Sequence, residues 1–372
     1  MSGGLPRNPI YWLVPFIPLA EVLEYGLAGV PPYIKFGCAA LALIPMAAVM
    51  VESTEQIAHH AGETVGGLLN ATFGNAPELI IALIALQAGL LDVVKASIVG
   101  VMLANLLFVL GLSFLVGGLF HRQQKFNRRG RRVERSVLMI AAISIVVPSV
   151  FDNFISPATL QQETALSACV AVVLLITYGF NLLFMLKTHP HYYAPKKRAD
   201  NALEDEGGHW PLPRAVAVLV ASSLVLALMS EILVGSVEGT AQNLGMSKAF
   251  IGIIVIALLG GAPETVAAVS MARKNKLDLT LGIAVGSSIQ IALFVAPVLM
   301  LSSLFLAPRP LNLVVGNAGI MIVLFPVMIF SMVAADGKSD WFKGIQLLSV
   351  YLLIALFCYF LPDSPNLPLI KP

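Results

Sequence analysis

A succession of apolar stretches, each about twenty residues long and separated by short polar turns, leaves this chain little choice of fold. Hydrocarbon offers backbone N–H and C=O groups no partner, so a chain that lives in it must be helical or a closed barrel. Eleven stretches are long enough to cross, at residues 10–28, 34–55, 64–90, 93–120, 136–155, 164–186, 214–238, 249–272, 278–306, 311–334 and 342–361. The expected fold is an all-α membrane protein with about eleven transmembrane helices. Composition agrees: 58% hydrophobic against 12% charged residues over 372 positions is far from the balance of a soluble domain. Seven basic residues between Arg122 and Arg135 therefore read as topology and not as a nucleic-acid surface.

Basic residues in short loops tend to stay in the cytoplasm. With the Arg122 to Arg135 loop inside and the spans alternating, Arg7, the Lys187 to Arg214 linker, Arg273, Lys274, Lys276, Lys338 and Lys343 also fall inside. Lys35, Lys95, Lys248, Arg309 and Lys371 fall outside. The N-terminus is then cytoplasmic, and the early segment shows no small-residue cleavage pattern of a removable signal. Cys38, Cys169 and Cys358 are widely spaced in apolar stretches, without the spacing of a metal or redox motif. His59, His60 and His191 lie near helix ends or in loops and read as solvated.

The chain also repeats itself. Gly74-Asn75-Ala76-Pro77-Glu78 aligns with Gly260-Gly261-Ala262-Pro263-Glu264 at an offset of 186 residues. Without a gap the same offset pairs Glu52 with Glu238, Gln56 with Gln242, Gly66 with Gly252, Asp92 with Asp278 and Gly100 with Gly286. Chance pairing of apolar residues is cheap in a membrane protein, whereas matched Glu, Gln, Asp and Gly point to duplication. The expected division is an N-terminal helix at 1–30, a five-helix repeat at 31–186, a cytoplasmic linker with the acidic run Glu204-Asp205-Glu206 at 187–213, and a second five-helix repeat at 214–372. Five is odd, so the second copy enters the membrane from the opposite face. Inverted repeats are how many secondary transporters build a midplane site with two access routes.

A carboxylate at the centre of a span costs about 2.5 to 3.5 kcal/mol on insertion scales, so two at equivalent positions need a reason. Pro77 and Pro263 lack an amide hydrogen, which frees the carbonyls of Phe73 and Leu259 four residues back. Freed carbonyl oxygens beside Glu78 and Glu264 make a hard-oxygen site, which suits calcium better than a soft metal. A bare, doubly charged pair is costly in lipid, and either protons or one divalent cation neutralises it; exchange follows. Asn75, Asn105, Ser287, Ser288 and Gln290 read either as helix-to-helix hydrogen bonds or as access path and ligand support. Glu52 and Glu238, each 26 residues before a motif glutamate, read either as carboxylates at a pathway mouth or as interfacial charges. Glu55, Glu63 and Glu231 have no acidic counterpart in the other repeat, and the acidic run reads as a solvated linker.

The stretch Leu68-Leu69-Asn70-Ala71-Thr72-Phe73-Gly74-Asn75-Ala76-Pro77-Glu78-Leu79-Ile80 resembles the first repeat motif of the calcium/proton antiporters of the calcium/cation antiporter superfamily. Lys274-Asn275-Lys276-Leu277-Asp278 and Gly286-Ser287-Ser288-Ile289-Gln290-Ile291 resemble its second. The resemblance covers nearly the whole chain after the first span. It implies eleven helices, no cofactor, and Ca2+ and protons as the substrates exchanged at Glu78 and Glu264 within a lipid bilayer. Gly261, Pro263 and Thr265 depart from the family's usual Asn, Ala and His, and Val101 and Ala104 replace common serines, which removes side-chain ligands around the second glutamate. The alternative on the same scaffold is a Na+/Ca2+ or monovalent cation/proton exchanger. A membrane-embedded enzyme is disfavoured because HExxH, GxSxG and a paired intramembrane aspartate are all missing. A prokaryotic plasma membrane fits the compact chain.

Overall fold

The structure, a computed structural model, describes residues 9–61, 63–154, 160–189 and 210–360. Arg7, His191, the acidic run and Lys371 lie outside the described residues. The regular elements among the described residues are helices and one two-stranded ribbon. A 3-10 turn at Pro9–Leu13 leads to α1 (Phe16–Glu21) and a π turn at Val22–Gly26. The segment expected as the first repeat comprises α2 (Pro32–Ala61), α3 (Glu63–Phe73), α4 (Ala76–Gln87), α5 (Leu91–Leu103), a π turn at Ala104–Val109, α6 (Leu110–Phe120), β1 (Gln124–Lys125), α7 (Arg128–Phe154) and α8 (Leu160–Leu183), which a π turn extends to Thr188. The second comprises α9 (Leu212–Leu244), α10 (Lys248–Phe250), a π turn at Ile251–Ile256, α11 (Ala257–Gly260), α12 (Ala262–Arg273), α13 (Leu277–Gln290), a π turn at Ile291–Val295, α14 (Ala296–Leu306), α15 (Gly316–Val333), β2 (Lys338–Ser339) and α16 (Trp341–Phe360).

Eight described helices are long and apolar enough to cross a membrane, or nine when α10 to α12 count as one span bent by 57°. Two expected spans take another form. Residues 10–28 are short turns and one six-residue helix, because Pro15 and Pro18 withhold amides from any longer ladder. The expected span at 64–90 is α3 and α4, divided at Gly74 and Asn75, and its eleven- and twelve-residue halves are each too short to cross alone.

The two repeats share their irregularities as well as their motifs. The π turns at Ala104–Val109 and Ile291–Val295 fall at equivalent positions under the 186-residue offset. So do the breaks before α4 and α12. Single π turns inside helices are frequent at functional sites, and these two flank the breaks.

Residues 311–315, expected within a span, are non-helical and buried, and α15 begins only at Gly316. Buried backbone outside a helix must find its partners locally. Serine hydroxyls supply them: the N–H groups of Leu311, Leu313 and Val315 donate to Ser303, Ser167 and Ser149 at 2.8, 3.0 and 2.8 Å. Lys95, expected in an outer loop, is instead buried in α5. It donates to Asn312 Oδ1 and, at 3.2 Å, to the Val314 carbonyl, so it helps to fix this same segment.

At the end of the bundle where α12 finishes, the α6–α7 loop forms a clasp. Gln124 Nε2 donates to the Ala272 carbonyl at 2.7 Å and to Asn275 Oδ1 at 3.1 Å, and His121 Nε2 meets the Arg273 carbonyl at 3.0 Å. These groups add side-chain donors to the last carbonyls of α12, of which that of Ala272 also accepts from the Asn275 N–H at 3.0 Å. β1 pairs with β2, joining the clasp to the turn before α16.

Helix crossings depend on missing side chains. A Cβ on Gly100 would lie 2.2 Å from the Ile253 carbonyl oxygen, and one on Gly252 would lie 2.4 Å from Ala96 Cβ, so α5 and the π turn at Ile251–Ile256 approach backbone to backbone. Gly286, the repeat counterpart of Gly100, has nothing within 4 Å of such a Cβ. Gly100→Val should therefore lower the melting temperature of the detergent-purified protein by the equivalent of about 1 to 3 kcal/mol of overpacking. Gly286→Val should leave it close to wild type. Equal shifts for the two variants would contradict the crossing described.

Candidate cation site

Glu78 and Glu264 each stand in the first turn of the helix that follows a break, with Pro77 and Pro263 beside them. The prolines do not kink a continuous helix as the sequence suggested. They occupy the start of a new one, where an amide has no intrahelical partner and its loss is harmless. The breaks themselves are Gly74 with Asn75 and Gly261. Each glutamate then faces the positive end of its own helix dipole.

The two motifs meet. A Cβ on Gly260 would sit 3.5 Å from Glu78 Cγ and 3.6 Å from its Oε1, so the first glutamate rests against the backbone of the second break. Glu264 lies within electrostatic reach of Glu78. Glu78 is 7% exposed, whereas Glu264 is only half-buried. Both oxygens of Glu78 and Oε2 of Glu264 are buried and accept no hydrogen bond from another residue among the described residues. Three uncompensated carboxylate oxygens in one apolar region call for a proton or a cation. A cavity of about 20 Å³, bounded by Glu78, Ser97 and Gly260 among apolar side chains, opens beside the first glutamate. It has room for one water-sized occupant.

The remaining expected residues divide. Asn75, Asn105, Ser287 and Gln290 come together: Asn105 donates to Ser287 at 3.0 Å, Ser287 to Asn75 at 2.6 Å, and Asn75 to Gln290. Ser288 does not join them; its hydroxyl returns to the Ala284 carbonyl of its own helix at 2.9 Å. Thr265 likewise spends its hydroxyl on the Gly261 carbonyl. Phe73 ends α3 and is exposed, and Leu259 is partly buried in α11. Glu52 accepts a hydrogen bond from the Tyr11 phenol at 2.8 Å, and Glu238 is paired with Lys248 at an exposed helix end. Neither of these acids reaches the motif pair. Among the described residues no group of three or more His, Cys, Asp or Glu could hold a metal ion. A cation here would rest on the two glutamates and on amide and carbonyl oxygens.

Sequence reasoning passed over Gly260 as a wall against Glu78, and Ser97 as a boundary of the adjoining cavity. The repeat of Gly260 at Gly74 was the available signal, since a motif that keeps glycine beside an acid often keeps space for a neighbour's side chain.

The model of the family described as sodium/calcium exchanger protein matches residues 32–187 and 214–360. The chain belongs to that family. A Ca(2+)/H(+) antiporter of Aphanothece halophytica is 40% identical over 378 residues, covering 98% of this chain and all of the relative. The Ca(2+)/H(+) antiporter ChaA of Bacillus subtilis is 40% identical over 327 residues, covering 88% and 92%. Both relatives are antiporters, not enzymes. The structure of native YfkE superposes with a TM-score of 0.81 at 35% identity, over 95% of this chain and 100% of the other. Family membership places the helical bundle in a membrane. It also gives the duplicated glutamates a setting in which burial without partners is intelligible.

Ligand linkage offers a direct check. A cation that binds the folded pair stabilises the protein by about 2.7 kcal/mol at a hundredfold excess over its dissociation constant. Added CaCl2 should raise the melting temperature of the purified protein, and Glu78→Gln or Glu264→Gln should remove the increment. An undiminished increment in both variants would place the cation elsewhere.

Proposed function

We propose that this chain exchanges Ca2+ for H+ across a membrane by alternating access, with Glu78 and Glu264 carrying either the cation or the protons. The observation that carries the reading is the set of three buried, unpartnered carboxylate oxygens on two repeat-related helix starts. Such a pair is tolerable in low dielectric when neutralised and costly when bare. The cation therefore cannot leave without protons arriving, and protons cannot leave without the cation. Similarity to proteins named Ca(2+)/H(+) antiporters supports the same substrates. Phe73 and Leu259 offer backbone carbonyls at the breaks as further oxygen ligands.

Alternating access draws support from unequal burial of equivalent residues. Ile251 and Ile254 are 1% and 8% exposed against α5, while their counterparts in α3, Val65 and Leu68, are 52% and 45% exposed. Gly100 is pressed against Ile253, while Gly282 and Gly286 on α13 face open space. One repeat is closed over the site where the other is parted. In the orientation read from the basic loops, the parted side is cytoplasmic, and the exchange cycle swaps the two arrangements. The same orientation puts the N-terminus in the cytoplasm and suits a prokaryotic plasma membrane.

Sodium coupling on this scaffold would call for extra hydroxyls or carboxylates at the pair. Among the described residues no third carboxylate groups with the pair.

In proteoliposomes with an acid interior, external Ca2+ should release protons, and a sodium gradient should add nothing. Glu78→Gln and Glu264→Gln should each reduce the exchange to background. Sodium-driven Ca2+ uptake without proton movement would replace this reading with the sodium-coupled one. Gly286→Leu fits the parted arrangement but blocks its closure, so it should retain the fold and lose at least about tenfold in exchange rate; full activity would argue against α3 closing on α13.

A further inference from the structure

The polar side chains near the glutamates form a chain with a direction. Asn105 Nδ2 donates to Ser287 Oγ, the Ser287 hydroxyl donates to Asn75 Oδ1, and Asn75 Nδ2 donates to Gln290 Oε1. A hydroxyl has one proton and an amide has distinct ends, so these bonds fix which end of the Asn75 amide faces which neighbour. Asn105, Ser287 and Asn75 are all more than nine-tenths buried, where a broken link leaves an unsatisfied group. The chain crosses between repeats, from the π turn after α5 through α13 to the break before α4.

The second break has no such lock. Under the 186-residue offset, Asn75 corresponds to Gly261, Ser287 to Val101, Gln290 to Ala104 and Asn105 to Ile291. Four hydrogen-bonding side chains, two from each repeat, are answered at the equivalent positions by four that cannot hydrogen-bond. Neither backbone nor space demands this. Gly261 has φ −82° and ψ 12°, open to ordinary residues, and a Cβ there would meet only ordinary or slightly tight contacts, 3.3 Å to the Ala257 oxygen and 3.9 Å to Asn105 Oδ1.

We propose that Asn105 and Gln290 are positioning residues that, through Ser287, hold Asn75 and the first break as the fixed wall of the cation site, leaving the Gly261 break to re-angle when the cation binds. The proposal rests on the exchange reading of this site. Glu78 is then presented in one place, and Glu264 moves to meet the ion. The half-buried state of Glu264 beside the buried Glu78 accords with that division.

The test is a double-mutant cycle of Asn105→Leu and Gln290→Leu, two residues joined through Ser287 and Asn75. Melting temperatures of purified protein in EDTA should show strong coupling: the double variant should lose little beyond the larger single loss. Additive losses would overturn the lock. In proteoliposomes each single variant should raise the half-saturating Ca2+ concentration by about tenfold while lowering the maximal rate much less; a fall in maximal rate alone would also overturn the proposal. The converse variant, Val101→Ser with Ala104→Gln, Gly261→Asn and Ile291→Asn, installs the missing lock. It should slow maximal exchange by about tenfold with little change in half-saturation, and an unchanged rate would count against a compliant second break. If the wild-type protein moves no protons in response to Ca2+, the exchange reading fails, and the melting cycle in EDTA still decides whether the lock exists.

Discussion

Two acids without partners, lodged where helices start inside an apolar bundle, set the terms for everything around them. Lipid cannot solvate a carboxylate or an interrupted backbone. The fold therefore brings both liabilities to one place, with Glu78 lying against the Gly260 backbone and Glu264 close by. Each break exposes groups that a mobile ion could satisfy, and each acid supplies the charge that ion requires. Neither would be sustainable separately. Together, on the proposed exchange reading, they make a site whose stability depends on what occupies it.

The irregular parts of the backbone obey the same rule even where no ion is involved. The stretch from Leu311 to Val315 is buried and non-helical, and three serine hydroxyls from α14, α8 and α7 receive its amides. Lys95, Asn312 and Glu163 complete its environment. A charged lysine inside a span is thus spoken for by the backbone that it supports. The contrast with the motif glutamates is instructive, because there the partners are withheld.

Much of this could be read from the residues alone. Long apolar runs located nine of the spans, with some ends off by a turn or two of helix, if the bent α10 to α12 unit counts as one. The duplicated Gly-x-Ala-Pro-Glu strings located both helix breaks. What escaped was long-range. Pro77 looks like a kink in the middle of an apolar run, and only the structure places it at a helix start. Lys95 looks like a loop residue until the distant Asn312 comes beside it. Ser287 and Ser288 are neighbours in sequence with indistinguishable chemistry, yet helical rotation sends one to Asn75 and the other back to Ala284. Glu52 and Glu238 match under the repeat, but Tyr11 and Lys248 engage them away from the pair. Spacing identifies which residues are duplicated; it does not say which way their side chains turn.

The clasp at the far end of α12 has a mechanical consequence. Gln124 and His121 grip the last carbonyls of that helix, and the β1–β2 ribbon ties the grip to the turn ahead of α16. A helix held at one end and broken at the other behaves as a lever whose fulcrum is the tethered tip. Small angular changes there would sweep Glu264, in the opposite turn of α12, through the longest arc available to it.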